Sequence, residues 1–166
     1  MKHQKAWARF FLAAALITAA MIFCFSAQKA VDSTALSDQI TLRIAPIIRP
    51  DYLQLAPEAQ RSYLELLSSV IRENAHFCEF MLLGFNLMAW LRLRDPSAPV
   101  RRCRLWAWGI ATAYAVADEL HQLFVSERAC QVVDMLIDSA GGLVGTFVAV
   151  VFLSLMASLQ KRHASG

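Results

Sequence analysis

Apolar positions along the chain gather into four blocks, separated by stretches rich in charge and proline. The blocks cover about residues 7–27, 75–91, 105–124 and 132–159. A helix needs about 20 apolar residues to cross the hydrocarbon of a bilayer, so each block predicts a membrane-spanning helix. Residues 28–74 read instead as a mixed, polar loop broken by Pro46, Pro50 and Pro57. Inside that loop, Tyr63, Leu64, Leu67, Val70 and Ile71 recur at helical spacing over Glu58–Glu73. Pro57 suits the first turn of such a helix. The segment predicts an amphipathic helix that lies at the membrane surface or leads straight into the second span. Residues 92–104 form a linker punctuated by Pro96 and Pro99, and a tight turn around Ser126, Glu127 and Arg128 joins the third block to the fourth. The expectation is one all-α domain over residues 1–166, an integral membrane bundle of four transmembrane helices with an amphipathic helix before the second span.

Composition agrees. The chain is 57% hydrophobic and 17% charged, where a soluble domain carries about 25% charged residues. A net charge of +3 is too small to point to nucleic acid, and the basic residues flank the apolar blocks. Basic residues in short loops mark the cytoplasmic side. Lys2, Lys5 and Arg9 precede the first block, Arg92, Arg94, Arg101, Arg102 and Arg104 crowd the linker, and Lys161 and Arg162 follow the fourth block. These agree on one topology, with both termini and the 92–104 loop cytoplasmic and the 28–74 loop outside. A cleaved signal peptide is the rival for the first block. The block is longer than a signal core, and Phe25 spoils a small-x-small site before Ala27, so a retained helix is expected. Cys24, Cys78, Cys103 and Cys130 show no CxxC pair and read as small apolar residues, with a disulfide as the alternative.

The topology places the unusual side chains at one end. Ser26 and Gln28 close the first span. Arg72, His76 and Glu79 open the second. Asp118, Glu119, His121 and Gln122 close the third, Arg128 follows, and Asp134 and Asp138 open the fourth. All fall toward the outer side. His76 and Glu79 share a helix face, as do Asp118, His121 and Gln122, with Tyr114 a turn deeper. Asp134, Asp138, Gly141, Gly145 and Ala149 form one stripe on the fourth span, and its glycines allow a neighbouring backbone to approach closely. That stripe aims both aspartates into the bundle. A charged carboxylate near mid-membrane costs about 2.5–3.5 kcal/mol even on lenient scales, so such acids are expected to be paired, protonated or bathed by water. Snorkelling or interhelical glue explains any one of these residues taken singly. It explains the joint set poorly.

The same residues carry a resemblance. Phe25-Ser26-Ala27-Gln28 with Ser33 and Ser37, Arg72-x-x-x-His76-Phe77-x-Glu79-Phe80, Tyr114-x-x-x-Asp118-Glu119-x-His121-Gln122, and Arg128 with Asp134-x-x-x-Asp138-x-x-Gly141 together resemble the VanZ-like family. The chain differs at Ser126-Glu127, where that family usually has proline or glycine, and at Asp138-Ser139, where it usually has asparagine. The resemblance implies a small multi-span bacterial membrane protein acting at the cell envelope, with a link to resistance against the glycopeptide teicoplanin. It supplies no reaction.

Two functions from different classes follow. In the first, the outward pocket binds an envelope lipid, a lipid-linked precursor or a glycopeptide, with Ser26, Gln28, Arg72, Glu119, Gln122, Arg128, Asp134 and Asp138 lining it and the arginines meeting anionic groups. In the second, the chain is an intramembrane hydrolase or transferase acting on a lipid headgroup. His76, Glu79, Asp118 and His121 would then serve as acid and base, or hold a divalent metal. No HExxH or comparable motif supports a metal. A proton-coupled transporter ranks third, because the cytoplasmic halves offer no polar exit path.

Overall fold

The computed structural model describes residues 2–27, 30–125 and 130–164, with the side chains of 2, 30–37, 161, 163 and 164 also set aside. The described residues form five α-helices and no strand: α1 (Lys2–Ser26), α2 (Ala30–Ile48), α3 (Pro57–Arg94), α4 (Val100–Gln122) and α5 (Val132–Ala164). A single 3₁₀ turn over Tyr52–Gln54 joins α2 to α3. Pro57 opens α3 at its first turn, as expected. The amphipathic segment and the second apolar block are one uninterrupted helix, so the segment leads straight inward.

Two helices are long and apolar enough to cross a membrane by length and composition, over His3–Ser26 and Val132–Gln160. Both are mostly uncovered by the rest of the chain, unlike the core helix of a soluble protein. Together they fit a membrane protein. The other two expected spans lie within α3 and α4, where charged and polar side chains interrupt the apolar run. The polar loop expected over 28–74 is the larger revision. It contains α2, whose Thr41 and Ala45 are fully buried one turn apart, and α2 packs on α3. Pro46 sits inside α2 near its end, and Pro50 follows the point where Arg49 N–H bonds Ala45 O. The prolines terminate this helix rather than prevent it.

Why the long helices associate is legible in α3 and α5, the most extensive pairing in the molecule. Backbone meets backbone there. A Cβ on Gly141 would strike Phe77 O, one on Gly145 would strike Met81 O and lie 2.8 Å from Phe85 N, and one on Gly84 would strike Gly142 O. Such small-residue contact is how helices pack in lipid, where burying apolar surface gives no drive. Phe77 against Gly141 and Met81 against Gly145 also fix direction, because both numbers rise together. The two helices are parallel. Helix α1 runs the other way, with Phe11 beside Phe85, and α4 runs with α1, since Tyr114 OH donates to Ala19 O at 2.6 Å and Ser26 meets Asp118. Four long helices therefore alternate in direction, placing Ser26, His76, Asp118 and Asp138 at one end.

The opposite end is tied by the α3–α4 turn. Asp95 accepts bonds from Ser97 N–H at 3.1 Å and Ser97 Oγ at 2.5 Å, which hold its carboxyl below the usual carboxylate range. Arg92 donates to Ala98 O at 2.8 Å. The four cysteines are free thiols, and Cys103 is the buried one.

Candidate functional site

Helix α4 shows how the sequence builds the site. Its buried face descends through Cys103, Ala107, Ala111 and Ala115, small side chains at helical spacing that let α4 lie against its neighbours. The same face then turns polar without leaving the interior. Asp118, Glu119 and Gln122 are 4%, 2% and 5% exposed. The glycine stripe does the same for α5, where Asp138, a turn before Gly141 and Gly142, is 3% exposed. Close approach of α3 and α5 thus carries Asp138 to the level of His76.

Asp118, Glu119 and Asp134 each have hydrogen-bond donors of their own. Asp118 Oδ2 accepts from Ser26 Oγ at 2.7 Å, a buried bond that joins α4 to the end of α1, and receives Gln122 Nε2 at 3.4 Å. Glu119 Oε1 accepts from Gln122 Nε2 at 3.1 Å, and its Oε2 accepts from Gln131 N–H at 2.9 Å, tying α4 to the entry of α5. Asp134 Oδ2 accepts from Gln131 Nε2 at 3.3 Å. His76 Nδ1 lies 3.5 Å from Glu79 Oε2, within ion-pair reach but without hydrogen-bond alignment. Asp138 and Asp118 also lie within electrostatic reach of His76. Among the described residues, several buried atoms of the set have no hydrogen-bond partner: His76 Nδ1, Glu79 Oε2, Asp118 Oδ1, His121 Nε2 and Asp138 Oδ1. Buried polar atoms are normally satisfied, so their concentration here marks the region as unusual.

A cavity of about 230 Å³ opens among α3, α4 and α5. Arg72, His76, Glu119, Gln122, Asp134 and Asp138 line it, as do Ser69, Glu73 and Gln131, which sequence reasoning did not single out. Ser69 and Glu73 stand four apart on the amphipathic turn of α3, and Ser69 Oγ donates to Glu73 Oε1 at 3.0 Å. Their signal was the spacing from Ser69 through Arg72 and Glu73 to His76. Gln131 acts through its side chain on Asp134 and through its backbone N–H on Glu119, the second a role that no sequence pattern reveals. Asp118 and Glu79 stand beside the cavity, not on its wall. His121 goes elsewhere: it stacks on Phe23 of α1, with ring centroids 4.5 Å apart. Gln28 and Arg128 lie outside the described residues.

The proposed metal ligands were His76, Glu79, Asp118 and His121. Among the described residues, no three His, Cys, Asp or Glu side chains group closely enough to hold an ion. A larger, shallower groove of about 570 Å³ at the opposite end is lined by Pro99, Arg101, Arg102, Leu105, Trp106 and Gly109. It lacks the convergent acids, and the smaller cavity is the better candidate site.

Fold and site define a class: an all-helical membrane protein whose buried ionisable groups collect at one end of the bundle. Within that class, the family model described as VanZ/LLP1 matches residues 11–153, and the chain belongs to the VanZ/LLP1 family. No curated protein and no solved structure matches the chain.

Proposed function

We propose that this protein is a four-span bundle of a bacterial inner membrane that holds the polar headgroup of a cell-envelope lipid in the cavity between α3, α4 and α5, facing away from the cytoplasm. The observation that carries the reading is the joint presence, on one wall system, of a guanidinium without hydrogen bond or ion pair among the described residues (Arg72) and a buried carboxylate with an unpartnered oxygen (Asp138). Headgroups are polar and suit a cavity lined by charged and amide side chains, while their acyl chains stay in hydrocarbon. The basic residues at the other end support the orientation, because they belong on the cytoplasmic side. A cavity of about 230 Å³ suits a headgroup and takes only part of a glycopeptide. Any contribution to glycopeptide resistance would run through the bound envelope lipid.

The test is lipid retention. Protein purified in mild detergent should keep a bound phospholipid through native mass spectrometry, and Arg72→Ala should release most of it, since charge-assisted bonds to phosphate are the strong ones. Unaltered protein that carries no lipid would refute the reading. One observation favours a second reading: the His76–Glu79 pair beside Asp138 has the make-up of a general acid–base couple acting on a headgroup. That reading requires turnover of added phospholipid, lost in His76→Asn. Lipid recovered chemically unchanged after prolonged incubation with the protein would exclude it.

A further inference from the structure

Among the described residues, the cavity wall is unbalanced in charge: Glu73, Glu119, Asp134 and Asp138 contribute four carboxylates, against the guanidinium of Arg72 and the imidazole of His76. Most of these acids are already engaged. Glu119 accepts from two donors, Asp134 from Gln131, and Glu73 from Ser69. Asp138 differs. It is 3% exposed, it lines the cavity, and its Oδ1 has no donor among the described residues. An acceptor held this way at membrane depth is costly unless something supplies the missing donor. Among the described residues that line the cavity, no donor reaches this oxygen, and Arg72 is the one fixed cation.

Resting on the headgroup reading above, we infer that the headgroup this cavity takes carries a primary ammonium next to its phosphate, as a phosphoethanolamine does. The ammonium donates to Asp138 Oδ1, and its charge offsets the surplus of carboxylates, while the phosphate faces Arg72. A primary ammonium brings several N–H donors as well as charge. A trimethylated nitrogen keeps the charge and loses every donor. A phosphoglycerol keeps hydroxyl donors and loses the charge. Each alternative meets half of what the wall requires.

The experiment varies the lipid and leaves the protein intact. Purified full-length protein is offered an equimolar mixture of phosphatidylethanolamine, its N-methyl and N,N-dimethyl forms, phosphatidylcholine and phosphatidylglycerol, all with the same acyl chains, and bound species are counted by native mass spectrometry. Retention should fall stepwise with methylation, about tenfold from the first to phosphatidylcholine, the scale of one charge-assisted hydrogen bond. Phosphatidylglycerol should do no better than phosphatidylcholine. Asp138→Asn should flatten the series, whereas Gly109→Ala, remote from the cavity, should keep it. Equal retention across the methylation series, or a preference for phosphatidylglycerol, overturns the ammonium assignment and leaves lipid binding standing. Retention of none of the five overturns both. Should Asp138→Asn fail to fold, the methylation series on the unaltered chain still decides.

Discussion

A single hydroxyl, that of Ser26, shows how one residue holds two helices at the site. It donates to Asp118 Oδ2 at 2.7 Å with both groups buried, and the other contact to that oxygen, from Gln122, is longer at 3.4 Å. Removing the hydroxyl leaves a buried carboxylate oxygen short of its better donor. Interhelical hydrogen bonds in membranes contribute about 0.6–2 kcal/mol, so Ser26→Ala should destabilise by about that amount. Thermal unfolding in detergent measures it; an unchanged midpoint would mean that water replaces the hydroxyl. At this scale much of the site was legible, because charge in an apolar block is expensive and therefore conspicuous. Ser26, His76, Asp118, Glu119, Gln122 and Asp138 stand out for that reason. His121 stood out equally, and its placement with Asp118 and Gln122 followed from spacing alone. Consecutive helical positions diverge by about 100°. Gln122 consequently reaches Glu119 while His121 turns to Phe23. Ser69, Glu73 and Gln131 were hidden because polar residues on an amphipathic helix or at a helix entry look ordinary.

Between elements, the decisive contact is α3 against α5. The Gly141–Gly145 spacing announced a close approach from sequence, and the partner proves to be the backbone of α3 at Phe77, Met81 and Phe85. What spacing did not reveal is Gly84, which reciprocates from α3 by receiving Gly142. Because this contact sets the level of Asp138 against His76, it should be coupled to the cavity. Gly145→Leu would place side-chain atoms where Met81 O and Phe85 N now lie, and both are backbone, so neither yields cheaply. Overpacking of this kind costs about 1–3 kcal/mol or more. The variant should lose thermal stability and bound lipid together. Gly109→Ala is the matching control, since its Cβ would meet nothing within 4 Å, and alanine is the better helix former. It should be neutral to slightly stabilising. Both substitutions raise helix propensity, so a gain in both variants would show that propensity, and not close approach, governs these positions. Helix α2 was the element least legible in advance. Its prolines signalled a broken loop, and only burial of Thr41 and Ala45 against α3 shows what stabilises a helix there.

Over the whole molecule, helix direction decides which groups share an end. Parallel α3 and α5, with α1 and α4 running the other way, give an alternating bundle whose two ends differ sharply in chemistry. One end holds the buried acids of the site. The other holds Arg92, Arg94, Arg101, Arg102 and Arg104 at the α3–α4 turn, together with the basic start of α1 and the end of α5. This asymmetry was visible in sequence, but it was tied there to four apolar blocks. Among the described residues, only α1 and α5 are apolar enough by length and composition to cross by themselves, since α3 and α4 bring the site's polar side chains with them. Direction closes the gap. If α1 and α5 cross, α3 lies in backbone contact with α5 along Phe77, Met81 and Gly84, and α4 is bonded to α1 at Ala19 and Ser26, so both are drawn through the same slab. The prediction is a four-crossing protein with both termini on the basic side. Alkaline phosphatase, active only outside the cytoplasm, should be active when fused in the α2–α3 connection near Leu55 and silent when fused at Ser97 or after Gly166. A cytoplasmic fluorescent reporter should give the inverse pattern. Activity at Ser97 would place the arginine turn and the acid cavity on the wrong faces, and the headgroup reading would have to be rebuilt for the inner leaflet.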